Sequence, residues 1–237
     1  MNTNVNNVKI SRKEKRKIKK DARAQKLKKT WYGKIFYFIW YDDSAISWLV
    51  NIVLAFIFIK FIFYPLLGVV FATPIPVVAV VSCSMEHGYT NCGELKAPVD
   101  LCGVEGSGKA DFDEFWNNCK SFYISKNITK QEFKNFPMHN GFNKGEIILL
   151  KGVDLEDIKI GDIIVFNANK NYPIIHRVIE NNNTLQTKGD NNEYQISIPT
   201  LNEKNITKEQ ILGKAIARVP FLGYIKIWAT EFIYMFR

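Results

Sequence analysis

The stretch GDIIVFNANKNYPIIHRVIE, Gly161 to Glu180, holds two apolar runs, IIVF and IIHRVI, separated by a polar, turn-rich connection. Each run is β-branched, too short for a helix, and bounded by Gly, Asn or Pro, so each reads as a strand. The same signature recurs on both sides. GEIILLK (Gly145 to Lys151) repeats the Gly-acid turn feeding an apolar strand, and TLQTKG (Thr184 to Gly189) follows across NNN as a hairpin-like partner. VVAVVS (Val77 to Ser82) precedes the set and ILGKAIARV (Ile211 to Val219) closes it. Short strands at this spacing specify a mostly β domain over residues 73–218.

Residues 88–140 interrupt that pattern. They are polar, rich in Gly and Asn, and contain Cys92, Cys102 and Cys119. The segment reads as a small α/loop insert, with helices expected at KADFDEFWNNCKSFYI (Lys109 to Ile124) and TKQEFKNF (Thr129 to Phe136). It is too small to build a core alone, so cysteine cross-links are expected to hold it.

The net charge of +9 is unevenly spread. Residues 1–34 carry 13 of the 32 Lys and Arg against Glu14 and Asp21, a local +11; the other 203 residues hold 19 basic and 21 acidic groups, or −2. The basicity is a tail, and with no recognisable reading module it does not indicate nucleic acid. Directly after it comes AISWLVNIVLAFIFIKFIFYPLLGVVFA, Ala45 to Ala72, whose 28 residues exceed what a bilayer core requires. A signal h-region is shorter and nearer the terminus. Lys60 is the blemish, at a cost of about 2.5–3.5 kcal/mol for a central lysine. The expectation is a basic cytoplasmic tail and interfacial segment over 1–44 and a transmembrane helix over 45–72. The protein is then single-pass, with the N-terminus inside and the β domain outside, by the positive-inside rule. The C-terminal VPFLGYIKIWATEFIYMFR (219–237), interrupted by Lys226 and Glu231, suits a segment lying on the membrane.

All four cysteines lie beyond the span, where an even count favours disulfides. At least two of Cys92, Cys102 and Cys119 should be joined, with Cys83 either a fourth bridging thiol or a core side chain. No C-x-x-C occurs, so neither a metal nor a cofactor is expected. N-x-S/T sequons stand at Asn127, Asn182 and Asn205.

The stretch VVSCSMEHG, Val80 to Gly88, raises the question of a nucleophile. A serine hydroxyl is weak until a base removes its proton. Of His87, His139 and His176, only His176 sits in a strand that could aim it, and Lys188 is the rival base.

These residues resemble signal peptidase I of the archaeal and endoplasmic-reticulum type. SCSM resembles the serine block, GDIIVF the Gly-Asp strand block, IIHRV the histidine block and TKGDNN the acidic block. They occur in the family's order behind an N-terminal span and cover most of residues 73–223. The resemblance implies a signal-peptidase-like, mostly β serine endopeptidase that removes signal peptides from secretory preproteins having small residues before the cut. The lipid bilayer is the setting and the translocation machinery a candidate partner. On this match Ser84 is the nucleophile, His176 the general base and Ser82 an oxyanion-hole donor. The family's acidic pair shortly after GDNN is replaced by Gln195 and Ile196, which leaves Asp190, help from Glu193, or a bare Ser/His dyad; Asp190 is expected to orient His176 or to hold the local network. Cys83 stands for the usual glycine and His87 for the usual proline. The alternative is a catalytically inactive, membrane-anchored binding module that uses the cysteine insert.

Overall fold

The computed structural model describes residues 29–89, 100–170, 172–182 and 184–220. The expectations for residues 1–28, for Cys92 and for 221–237 lie outside the described residues. The chain divides into two compact units, Met1–Tyr64 and Pro65–Arg237.

The first unit starts with helix α1 (Trp31–Trp40), whose N-cap Thr30 accepts from the Gly33 N–H at 3.2 Å. A second helix, α2, runs from Ala45 to Val70, so that its last turns belong to the second unit; with a mean hydropathy of 2.4 it is long and apolar enough to cross a membrane. Ser44 caps its start by accepting from the Ser47 N–H. Its two early polar side chains turn back onto α1: the Ser47 hydroxyl donates to the Phe38 carbonyl and the Asn51 amide to that of Ile39. Satisfying them this way leaves Lys60 as the one charged side chain on the helix, whose surface is otherwise predominantly apolar. Ile59–Phe63 form a π-helical turn containing Lys60, whose ammonium lies 5.8 Å and 5.4 Å from the Phe56 and Phe61 ring centroids.

The second unit is built on an antiparallel sheet. In chain order its strands are β1 (Val77–Ala79); the two-residue β2 (Gly88–Tyr89), β3 (Asp100–Leu101), β4 (Val104–Glu105) and β5 (Gly108–Lys109); then β6 (Ile147–Lys151), β7 (Ile163–Phe166), β8 (Ile174–Asn181), β9 (Leu185–Lys188), β10 (Ser197–Ile198), β11 (Leu201–Asn202) and β12 (Ile211–Val219). Six of them form one sheet in the order β1-β6-β12-β7-β8-β9. Every strand read from the apolar runs is therefore present. The first is shorter than expected: pairing with β6 ends as Val80 bonds to Glu146 and Gly145, and the chain then turns away through Ser82 to Glu86.

The unbroken apolar run of β7 is buried on both faces. Ile163 and Val165 pack with Val80, Met85, Ile148 and Leu150, while Ile164 and Phe166 pack with Ile174, Val178 and Leu185. Alternation along β8 likewise sends His176 to the face of Ile174 and Val178, and Arg177 to the face of Ile175.

The insert's aromatic side chains Phe115, Trp116, Tyr123 and Phe133, from α3 (Phe112–Ser125) and α4 (Lys130–Lys134), form a core that Ile179 of β8 completes. Asp111 caps α3, and Thr129 with Glu132 forms a capping box on α4. The expected cross-link is Cys102–Cys119, with Cα atoms 5.3 Å apart, joining the turn between β3 and β4 to α3. Cys83 is disulfide-bonded as well. The tiny ladders β2–β5 and β3–β4 were not expected from the sequence.

Gly152 marks where the segment after α2 crosses the sheet. Its N–H donates to the Phe71 carbonyl at 2.7 Å, and a Cβ there would stand 1.9 Å from the Ala72 carbonyl oxygen. Gly152→Ala should destabilise this unit by about 1–3 kcal/mol, because the clash is with backbone. Denaturant unfolding of the variant beside wild type measures it, and an unchanged midpoint would contradict the close approach.

Candidate active site

The turn leaving β1 presents Ser84 half-buried between buried Cys83 and Met85. β8 aims His176 at it: the ring Nε2 lies 2.9 Å from Ser84 Oγ. The other ring nitrogen, Nδ1, is bonded to the Glu203 carboxylate, which is fully buried. Glu203 is itself fixed, since its second oxygen accepts from the Ile196 N–H at 2.6 Å and its first also bonds the Thr187 hydroxyl at 3.2 Å. A carboxylate on Nδ1 keeps the proton there and leaves Nε2 as an acceptor facing the hydroxyl. Ser82 Oγ lies 3.2 Å from Ser84 Oγ on the exposed side.

The expected orienting role of Asp190 is corrected by this geometry. Arg177 takes Asp190 with a two-pronged grip, Nε to Oδ1 at 2.8 Å and Nη2 to Oδ2 at 2.7 Å. Tyr123 donates to Oδ1 at 3.1 Å, and His87 Nε2 meets Oδ2 at 3.0 Å. The reason is alternation: Asp190 answers the arginine next to the histidine, on the other face of β8. Burial alone would raise the Asp190 carboxyl, but the Arg177 charge and the hydrogen bonds from His87 and Arg177 outweigh it and hold it well below the usual carboxylate range. Asp190 therefore holds the local network, the other part foreseen for it.

Gln195 and Ile196, where the resemblance led to an acidic pair, immediately precede β10. The β10–β11 hairpin then returns the chain so that Glu203 faces Ile196, with the Glu203 N–H donating to the Ile196 carbonyl at 2.9 Å. Sequence reasoning missed Glu203, although a signal existed. Pro199-Thr200 is a two-residue hairpin loop, and counting back from it sets residue 203 opposite 196. Glu193 takes no part, lying instead over Gly103 and hydrogen-bonding Tyr194.

Lys188, the rival base, is fully buried and donates to the carbonyls of Gly189 and Asp190 at 2.9 Å and 3.2 Å. Burial lowers its pKa to about 8 against the opposing pull of Asp190 and Glu203. His87 is stacked on Phe115 with ring centroids 3.5 Å apart, its pKa pushed down by burial against the upward pull of Asp190. His139 packs edge-on against Phe112.

A hydroxyl on an imidazole backed by a buried carboxylate is an arrangement suited to nucleophilic attack on an acyl carbon. No family profile matches the chain. It is similar to curated proteins named signal peptidase complex catalytic subunit. The protein of that name from Sclerotinia sclerotiorum is 32% identical over 102 residues, covering 40% of this chain and 59% of the relative. That of Scheffersomyces stipitis is 36% identical over 105 residues, 41% of this chain and 63% of the relative. That of Zygosaccharomyces rouxii is 35% identical over 104 residues, 40% and 61%. The match thus spans about six-tenths of the length of these relatives, and the resemblance read from the serine, histidine and acidic blocks holds.

The buried lysine makes stability depend on pH. A lysine with a folded pKa near 8 and an ordinary unfolded value of 10.5 holds fewer protons folded than unfolded between those values. Its contribution to stability therefore rises as pH climbs from about 8 to about 10.5. The gain in unfolding temperature between pH 7 and 10 should be larger in wild type than in Lys188→Met, where this term is gone. Equal pH slopes in the two proteins would contradict a depressed pKa.

Proposed function

We propose that the protein is a membrane-anchored serine endopeptidase that removes signal peptides from translocated preproteins. The observation that carries the reading is the contact of Ser84 Oγ with His176 Nε2 while Glu203 engages Nδ1, in a chain similar to signal peptidase catalytic subunits.

His176 takes the Ser84 proton as the hydroxyl attacks the scissile carbonyl, and returns it to the leaving amine. Glu203 fixes the tautomer and stabilises the imidazolium between those steps. Ser82, within hydrogen-bond reach of the nucleophile, donates to the developing oxyanion.

Substrate binding follows from the sheet edge. Pro76 and Val80 direct their backbone groups to β6, so those of Val77, Ala79 and Val81 point outward along an edge strand. An extended segment before the cut can pair there and run toward Ser84. Helix α2 anchors the chain, with the basic tail cytoplasmic and the β domain on the far side of the bilayer. The translocation machinery is the partner that would deliver preproteins, since a signal peptide emerges from it with its apolar core in the membrane.

Purified protein should cleave a preprotein at its signal sequence, and Ser84→Ala should abolish cleavage while remaining folded and membrane-bound. Preprotein bound but uncut by wild type would favour the binding-module alternative. Glu203→Gln tests the third member. The Ile196 N–H claims the amide oxygen, so the amide NH2 faces His176 Nδ1 and forces the proton onto Nε2, the wrong tautomer. A loss of roughly 10³–10⁴ in kcat is expected, as for the comparable change in other triads. Near-normal turnover in Glu203→Gln would remove Glu203 from the mechanism.

A further inference from the structure

The mechanism draws on Ser84, His176, Glu203 and Ser82 and leaves Asn191 unused, although it is buried beside the site. Its backbone N–H donates to the Ser84 carbonyl at 2.9 Å. Its side-chain amide donates to the carbonyls of Glu86 at 3.0 Å and Gly88 at 2.9 Å. Three alternate carbonyls of the nucleophile turn therefore end on one residue. In the other direction, the Asn191 carbonyl accepts from the Cys102 N–H at 3.0 Å, and Cys102 is bridged to Cys119 in α3. Gly189, two residues earlier, backs directly onto the reacting groups: a Cβ there would lie 2.9 Å from both His176 Nε2 and the Ser84 carbonyl oxygen.

We propose that Asn191 is a positioning residue for Ser84, and that the disulfide-held β3–β4 turn acts on the reaction through it. The proposal rests on the protease reading above. The turn is already tied to Phe142 and Gly141 through Met85 and Glu86, and Asn191 supplies a second set of rungs for the carbonyls of Ser84, Glu86 and Gly88. Ser84 sits at the first rung and the disulfide fixes the post that carries the rungs. Displacing a nucleophile by about 1 Å costs on the order of 10²-fold in rate while leaving distant substrate contacts alone. The insert is thereby more than a cover: its cross-link is one contact removed from the serine's own backbone.

Kinetics on a preprotein substrate test this, with the unfolding temperature of each variant recorded. Asn191→Ala keeps the backbone bond to Ser84 but releases Glu86 and Gly88, so kcat should fall about 10- to 100-fold with KM within about twofold. Cys102→Ser with Cys119→Ser should lower kcat in the same selective way. Combined with Asn191→Ala, the disulfide change should add little, because both act through one path. If Asn191→Ala does not fold, the serine pair alone carries the test through its kcat and KM. Unchanged kcat in a folded variant, a loss expressed in KM, or fully multiplicative losses would overturn the proposal. The rate at which a serine-directed phosphonate labels Ser84, followed by mass spectrometry, separates this from the protease reading. Labelling of wild type without preprotein cleavage overturns the substrate, while at least tenfold slower labelling of Asn191→Ala still supports the positioning role. Equal labelling rates would overturn it.

Discussion

The buried pair Arg177–Asp190 is the interaction on which the arrangement of the β unit depends. Both side chains are fully buried, and each donor of the guanidinium has an acceptor: Asp190 twice, then the carbonyls of Pro137, Gly161 and Met138. Those acceptors come from the loop after β9, the end of the insert and the turn before β7. One side chain thus joins three segments that no β-ladder connects. Charges buried this way do not add much net stability over apolar residues, but removing one partner strands the other at a penalty of about 3–5 kcal/mol. What the pair contributes is a single permitted arrangement of those segments.

That arrangement places one carboxylate on each side of β8. Asp190 meets Arg177 on one face, and Glu203 meets His176 on the other. Were Asp190 to turn to the histidine, Arg177 would be left charged in a dry interior, so the two carboxylates cannot exchange roles at low cost. Tyr123 and His87 add to the same point, donating to Asp190 from the insert core and the nucleophile turn. The insert's aromatic core, with the Phe133 ring 4.9 Å from the guanidinium, forms the wall that keeps water from the pair.

Much of this was legible in the sequence, and the reason is local. β6, β7, β8 and β12 are apolar runs rich in β-branched residues between Gly, Pro and Asn, and β9 follows β8 across a hairpin connection, so period and punctuation are enough to find them. The meeting of Ser84 with His176 was legible because the serine and histidine blocks follow the order of the family they resemble. Glu203 and the partner of Asp190 were not, because both are set by pairing across strands. The first needed the register of a two-residue hairpin, the second the alternation of two adjacent side chains on β8. The insert's two-residue ladders carry no periodicity at all: β2–β5 needs Gly88 and Lys109 to meet across the insert, while β3–β4 is a tight hairpin closed at Cys102 and Gly103, both at positive φ.

The position of Glu203 illustrates what such a site constrains. On the proposed mechanism His176 needs a carboxylate oxygen at Nδ1, held by a donor that fixes its orientation, not an acid at a given distance along the chain. With Gln195 and Ile196 where acids were expected, the backbone N–H of Ile196 remains, and it now grips a carboxylate arriving from the returning strand. Gln195 helps in turn, its amide donating to the carbonyls of Thr187 and Glu203 at 3.1 Å and 3.3 Å and tying that strand to β9. Gln195 and Ile196, standing where acids were expected, are thus the residues that seat the carboxylate on His176.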